Sequence, residues 1–234
     1  MIIGSGMIAK VFGDIYLNDP NTCIFASGVS DSKCKLITSY EREKKLLIES
    51  LDRYKNKEFV YFSSCSIYDV EKINTAYVNH KLNMEKIVSM HKNHLIVRLP
   101  QVIGFSNNRS TILNYLYDSI NEGRSFIVEL FAYRNLIDVE DVAKVVKVIL
   151  QRKNRPKKIN IANKSNISII SIIQIIEIML CKKASYKVIK KGNNYTIDIE
   201  LMNNRINQSN INIFYPDYEK SIIYKYYEKI NNTV

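Results

Sequence analysis

Tyr77 and Lys81 stand four positions apart in Tyr77-Val78-Asn79-His80-Lys81, and Ser64 precedes them at the end of an apolar run. A spacing of four on a helix places both side chains on one face, with the ammonium near the phenol oxygen. A free phenol ionises near about pH 10. A neighbouring cation favours the phenolate and makes the group usable for proton transfer near neutral pH. Ser64 could then hydrogen-bond a substrate oxygen and hold it against the tyrosine. The spacing alone says little, because the chain holds 16 tyrosines and 34 lysines and arginines. Tyr40 and Lys44 repeat it with no strand-end hydroxyl before them.

A second pattern lies at the start of the chain. Gly4-Ser5-Gly6-Met7-Ile8-Ala9 reads G-x-G-x-x-A between a short strand and a helix, the context a dinucleotide site requires. Gly4 permits a tight turn, Gly6 lets backbone approach a pyrophosphate, and Ala9 lets the helix sit close to the sheet. The helix N-terminus offers N–H groups to the anion. Gly4, Ser5, Gly6, Met7 and Ile8 are therefore the candidates for holding NAD or NADP. An acidic residue about 20 positions on would hold the adenosine ribose. The sequence there is Ile24-Phe25-Ala26-Ser27-Gly28, with no carboxylate.

Alternating strands and helices must position these residues. Strand patterns fall at Met1 to Ile3, Thr22 to Ala26, Glu58 to Phe62, Leu95 to Val97, Ser125 to Leu130, Lys158 to Ile161 and Tyr186 to Ile189. Helical patterns fall at Met7 to Tyr16, Ser39 to Tyr54, Tyr77 to Met90, Thr111 to Asn121, Val139 to Gln151, Ile167 to Cys181 and Glu219 to Ile230. The strands are apolar throughout instead of alternating, which predicts a parallel sheet covered on both faces. Lys191 to Asn212, rich in asparagine, is expected to loop over the surface.

Composition narrows the class. A chain of 234 residues suits one sizeable domain, or a nucleotide-binding domain with a small second lobe. Hydrophobic residues at 46% and charged residues at 24% argue against disorder. The N-terminus lacks the charged, apolar and small-residue segments of a signal peptide, so a cytoplasmic protein is expected. The longest apolar stretch, Ile167 to Leu180, carries a polar face and is too short to span a bilayer, so no membrane partner is expected. Cys23, Cys34, Cys65 and Cys181 read as buried free thiols, and His91 and His94 as surface side chains; no metal site is expected. A net charge of +11 suits phosphate-bearing ligands, and the scattered basic residues do not point to nucleic acid.

Four segments in order carry a resemblance. These are Tyr61-Phe62-Ser63-Ser64-Cys65-Ser66-Ile67-Tyr68, then Tyr77 with Lys81, then Arg98-Leu99-Pro100-Gln101-Val102-Ile103-Gly104, then Arg134-Asn135-Leu136-Ile137-Asp138-Val139-Glu140-Asp141-Val142-Ala143. Together with the strand at Ile159 to Asn163 they resemble the extended short-chain dehydrogenase/reductase family over nearly the whole chain. That resemblance implies a Rossmann-like doubly wound parallel sheet, abbreviated at its N-terminal side, with a small C-terminal substrate lobe. Residues 1–160 would be mainly the dinucleotide-binding domain and 161–234 mainly the lobe, interleaved with 104–135. It implies Ser64, Tyr77 and Lys81 as the catalytic set, with Lys81 and Tyr77 also on the cofactor. Ala26, Ser27, Gly28, Pro100, Gln101 and Val102 would line NAD or NADP. Ser64, Ser66 and Arg134 would meet a nucleotide-linked sugar, Arg134 through its fork of donors on the diphosphate. The expected activity is an NAD(P)-dependent reductase or epimerase in surface polysaccharide synthesis, and a homodimer is one assembly this scaffold allows. The competing expectation is a non-catalytic Rossmann-type binding protein that has lost full cofactor binding.

The chain departs from the family in instructive places. Only Lys10 to Ser63 separate the glycine turn from Ser64, so a strand unit is missing. Either Thr22 to Ala26 is the family's later, central strand and the unit bearing the ribose carboxylate is gone, or it is a true second strand offering Ser27 and Ser30 to an NADP phosphate. The interval from Ser64 to Tyr77 is short, and Asp69 replaces a glycine. Cys65 and Ser66 follow Ser64 where family dehydratases tend to carry an Asp-Glu pair, which disfavours dehydration.

Overall fold

In a computed structural model, residues 1–32, 34–106, 108, 109 and 111–231 are described. The elements run β1 (Ile2–Ile3), α1 (Met7–Tyr16), β2 (Thr22–Phe25), α2 (Ile37–Arg53), β3 (Glu58–Ser64), a 3-10 turn at Cys65–Tyr68, and α3 (Ala76–Ser89). They continue with β4 (His94–Leu99), β5 (Gln101–Ile103), α4 (Ile112–Asn121), β6 (Phe126–Glu129), β7 (Tyr133–Arg134), β8 (Leu136–Asp138) and α5 (Val139–Leu150). Last come β9 (Lys158–Asn160), β10 (Ile167–Ser168), α6 (Ile169–Leu180), β11 (Tyr186–Ile189), α7 (Glu200–Asn207) and α8 (Tyr218–Asn231).

The central sheet has the order β1-β2-β3-β4-β9, and every pairing in it is parallel. The unbroken apolar strands follow from helices on both faces. Ile24, Val60, Phe62, Leu95 and Val97 point to the face covered by α1, α5 and α7, through Phe12, Tyr16, Val142, Val146, Met202 and Ile206. Their neighbours Cys23, Phe25, Phe59, Tyr61 and Ile96 point to the other face, where Leu47 of α2 and Met84 and Val88 of α3 cover them. The expected parallel α/β sheet, abbreviated at its N-terminal side, is therefore present.

The sheet carries one oddity of hand. The steps from β1 to β2 and from β2 to β3 cross the sheet in the same direction, yet α1 and α2 lie on opposite faces. The two crossovers are of opposite hand, although parallel crossovers are right-handed in about 98% of cases. Helix α3 steps from β3 to β4 on the same face as α2, and α5 leads to β9 on the face of α1.

A second core gathers α4, α6 and α8 around Leu113, Leu116, Ile172, Ile173, Ile222 and Tyr226, with the parallel pair β6–β11 beside it. Here α6 turns Ile169, Ile172, Ile173 and Ile176 inward, as its polar stripe requires. No helix among the described residues is long and apolar enough to cross a membrane. Three expectations are corrected. The segment read as a loop over 191–212 contains α7, whose Met202 and Ile206 are buried because they close the core over α5. His94 is no surface residue but the first residue of β4, 8% exposed, because strand pairing to Phe59 carries it inward. Of the four cysteines only Cys23 and Cys65 are buried, Cys181 being exposed at the left-handed C-cap of α6 and Cys34 half-buried.

The two cores are tied at Asp138. Its Oδ1 caps α5 by accepting from the Glu140 amide (2.8 Å) and also accepts from the Tyr226 hydroxyl (2.6 Å), while Oδ2 accepts from Lys225 (2.7 Å). We predict that Asp138→Ala loses about 2–4 kcal/mol, the sum of a cap and two hydrogen bonds to a buried carboxylate. A urea unfolding curve checks it; an unchanged midpoint would show that the carboxylate does not tie the cores.

Candidate active site

The C-terminal ends of β1, β2 and β3 form one edge, and the glycine turn stands at its rim. Gly4 has φ +124°, and a Cβ there would lie 2.4 Å from the Ala26 carbonyl oxygen, so the turn can press against the end of β2 only as glycine. Among the described residues nothing lies within 4 Å of where a Gly6 Cβ would be, and no side chain caps the N-terminus of α1. That bare helix start, with open space over Gly6, fits a pyrophosphate. Ser5, Met7 and Ile8 sit on this turn, Ala26 and Ser27 face it, and the Met7 side chain packs against Gly104. Past Pro100, Gln101 and Val102 lie in β5, paired with Leu136 and Ile137 of β8.

The adenosine side is different. β2 lies between β1 and β3, as the reading of it as a central strand requires, and β1 is the edge of the sheet. A strand carrying a ribose carboxylate would stand beyond β1, where the sheet has none among the described residues. At the end of β2, Arg42 donates to the Ser27 hydroxyl (3.3 Å) and carbonyl (3.2 Å). We predict that Gly4→Ala, strained in φ and blocked by Ala26, lowers NADH affinity at least tenfold and costs about 1–3 kcal/mol of stability. Fluorescence titration and thermal unfolding check both; wild-type affinity in the variant would remove the turn from the cofactor site.

Ser64 ends β3 and caps the 3-10 turn, its Oγ accepting from the Ser66 amide at 3.1 Å. One lone pair is thus engaged, and the hydroxyl proton can be donated to a substrate oxygen. Tyr77 lies in the first turn of α3, which Thr75 caps, and its ring packs with Val29 and Val78. Tyr77 makes no hydrogen bond to Ser64 or Lys81 among the described residues. Lys81, 3% exposed, instead donates to Glu43 Oε1 (3.0 Å) and to the Tyr61 hydroxyl (3.2 Å).

Glu43, on α2, was not among the sequence candidates. Its fully buried carboxylate also meets His80 Nε2 (3.0 Å) and accepts from the Tyr61 hydroxyl (2.8 Å) and the Val29 amide (2.6 Å). Burial by itself would raise its pKa. The His80 bond, the Lys81 charge, the Val29 amide and the Tyr61 hydroxyl outweigh that and hold it at about 2, below the usual 4.5. Burial, then the Glu43 charge, pushes the Tyr61 phenol up, so it stays a donor.

A depressed carboxylate contributes stability that is present above the unfolded value and lost as pH falls towards the folded one. Glu43 should therefore contribute on the order of 3 kcal/mol near neutrality, lost between about pH 4.5 and pH 2. In Glu43→Gln that part of the acid-unfolding curve should vanish, measured by circular dichroism against pH. Curves with the same pH slope for both chains would refute it.

Ser66 and Arg134, the residues expected to meet a sugar, lie near Tyr195, which sequence reading missed. The Tyr195 hydroxyl pairs with Ser66, and Arg134 is close enough to oppose its pKa rise; burial, Cys65 and Asp69 push it up to about 12. The loop delivering it is pinned by Asn193 on Asp69 (2.7 Å) and by Asn166 on Asn194 (2.6 Å) and the Tyr195 carbonyl (2.9 Å). Its asparagine-rich composition gave no apolar signal, so only the tertiary contacts reveal it. Glu43 was equally silent, one charge on a helix rich in charges. Two shallow hollows of about 360 and 330 Å³ lie by Tyr215 and Ser171, and neither is lined by Ser64, Tyr77 or Lys81.

A parallel sheet with a glycine turn, a strand-end serine and a tyrosine opening the next helix at one edge is the fold and site of a nucleotide-dependent α/β enzyme class. The family described as NAD dependent epimerase/dehydratase matches residues 40–162, more than half of the chain, and the chain belongs to that family. The match includes Ser64, Tyr77, Lys81 and Arg134 and starts after the glycine turn. The cofactor expectation agrees with the family's NAD dependence. No curated protein matches by sequence. Among solved structures, dTDP-glucose 4,6-dehydratase from Bacillus anthracis in complex with NAD superposes with a TM-score of 0.72 at 16% identity, covering 97% of this chain and 80% of its own. UDP-glucuronic acid 4-epimerase from Bacillus cereus, in complex with UDP-glucuronic acid and NAD, gives 0.71 at 18% identity, covering 95% and 78%. A UDP-glucose 4-epimerase gives 0.73 at 15% identity, covering 99% and 84%. At these identities the likeness speaks for the fold.

Proposed function

We propose that the chain is an NAD(P)-dependent reductase or epimerase acting on a nucleotide-linked sugar, with Ser64 and Tyr77 touching the reacting group. One observation carries the reading. A single sheet edge holds a glycine turn open to an anion, a serine whose proton is uncommitted, and a tyrosine at the start of the following helix. Similar structures with nucleotide sugars or NAD bound support it.

NAD(P) would lie on Gly4–Ile8, beside Ala26–Gly28 and Pro100–Val102, and would supply hydride exchange at a sugar carbon. Ser64 donates its hydroxyl proton to the oxygen on that carbon and fixes it. Tyr77 takes the sugar hydroxyl proton on oxidation and returns it on reduction. Lys81 stands behind the tyrosine, and Arg134, with Ser66 and Tyr195, receives the diphosphate and sugar. Dehydration needs a further acid and base next to Ser64. Cys65 there is buried with its thiol pushed up by desolvation, and Ser66 is paired with Tyr195, so neither serves. A cytoplasmic place in surface-polysaccharide precursor synthesis goes with this reaction class.

The expected results are NADH or NADPH binding below millimolar concentration, and a Tyr77→Phe chain that loses turnover by about 10²–10⁴-fold with cofactor affinity within threefold of wild type. Failure of both cofactors to bind at millimolar concentration would sink the enzyme reading. The reading then left is a nucleotide-sugar binding protein on the same scaffold, favoured by the missing strand beyond β1. It requires UDP- or dTDP-sugar binding without turnover.

A further inference from the structure

Resting on the reading above for its sugar site, we propose that Asp69 is a positioning residue. It holds the Asn193–Tyr195 loop against the turn that follows β3, so that Tyr195 walls the sugar site beside Ser66.

Asp69 stands where the resembled family carries a glycine, and it has no part in the reaction described above. It is 2% exposed, and a carboxylate buried to that degree needs donors on its oxygens. Two donors are local: the Glu71 amide gives to Oδ1 (3.1 Å) and Lys72 pairs with Oδ2 (3.2 Å). The third comes from 124 positions further on, where Asn193 Nδ2 donates to Oδ1 at 2.7 Å. A glycine would offer that amide no acceptor.

The gripped loop is fixed to the lobe by its backbone. Gly192 has φ +95°, and a Cβ there would lie 2.5 Å from the Ala132 amide nitrogen, while the Tyr133 amide donates to the Asn193 carbonyl (3.1 Å). Tyr133 pairs in β7 beside Arg134. Next in the loop, Tyr195 packs with Cys65 and its hydroxyl pairs with Ser66. Asp69 is close enough to Tyr195 for its charge to resist ionisation of the phenol. A single side-chain hydrogen bond therefore joins the turn that carries Ser66 to the loop that carries Tyr195 and, through Tyr133, to the strand of Arg134.

The deciding chain is Asn193→Ala, which removes the donor and leaves the Asp69 turn whole. Asp69→Ala cuts the same bond from its other end and must agree with it. Asp69→Asn is the conservative counterpart, because an amide oxygen can still accept from Asn193 and Glu71. The first readout is ionisation of the Tyr195 phenol, followed by NMR of ring-labelled tyrosine and assigned with Tyr195→Phe. Burial, then Cys65 and Asp69, push that phenol up to about 12. At about pH 10.5, just above the free phenol's value, it should stay protonated in wild type and Asp69→Asn and be more than half ionised in Asn193→Ala. The second readout is affinity for UDP-glucose and dTDP-glucose by calorimetry, beside NADH by fluorescence. Whichever sugar nucleotide wild type binds should bind Asn193→Ala at least tenfold more weakly and Asp69→Asn within threefold, with NADH within threefold in both. A phenol still protonated in folded Asn193→Ala overturns the proposal, since the loop then keeps its place without Asp69. An ionised phenol with unchanged sugar-nucleotide affinity also overturns it, as does an Asp69→Asn chain that loses as much affinity as Asn193→Ala. Should wild type bind neither sugar nucleotide, the functional reading falls, and the phenol alone judges whether Asp69 holds the loop.

Discussion

Helices α1 and α2 leave neighbouring strands towards opposite faces of the sheet. In other α/β sheets such divergence opens a gap above the strand ends, the geometric reason ligands collect where strand order reverses. Here the order does not reverse. The divergence comes from two crossovers of opposite hand, with α1 held on its face by α5, so the packing of Phe12 and Tyr16 against Val142 and Val146 underlies the site as much as the glycines do.

Within that frame the molecule accepts two buried charge clusters, one on each side of β3's end. Glu43 gathers His80, Lys81 and Tyr61, and Glu85 gathers Arg98 (2.7 Å), Lys158 (3.0 Å) and the Ser63 hydroxyl (2.6 Å). Burying a carboxylate is expensive unless every lone pair is met, and both are met several times over. Such clusters fix geometry more than they add stability. They hold Ser63 and Ser64 between α3 on one side and the Tyr68–Asn160 contact (3.0 Å) on the other.

The sheet was legible in sequence because its signal is local: uninterrupted apolar strands, glycines at a strand end, and capping residues at helix starts. Helix α1 and strand β11 begin and end where the pattern placed them, and the ends of the other elements it placed differ by no more than two residues. The residues that approach the site from far along the chain were not legible. Glu43 is one charge among many on α2, and nothing local marks it as buried beside a residue 38 positions on. Tyr195 sits in a polar stretch whose only signal, asparagine content, pointed to solvent. Lys81 was found by its spacing, but its partner was read as the phenol four residues back, because spacing gives faces and not contacts.

β1 is both the first strand and the last of its sheet on that side. NAD and NADP differ by one phosphate, carried on the ribose that would project past this edge. A chain whose sheet stops there has no wall on which to read that phosphate, apart from Arg42 over Ser27 on the inner side of the turn. On this fold the shortened edge would leave that ribose without the flanking strand that reads it in other dinucleotide-binding sheets.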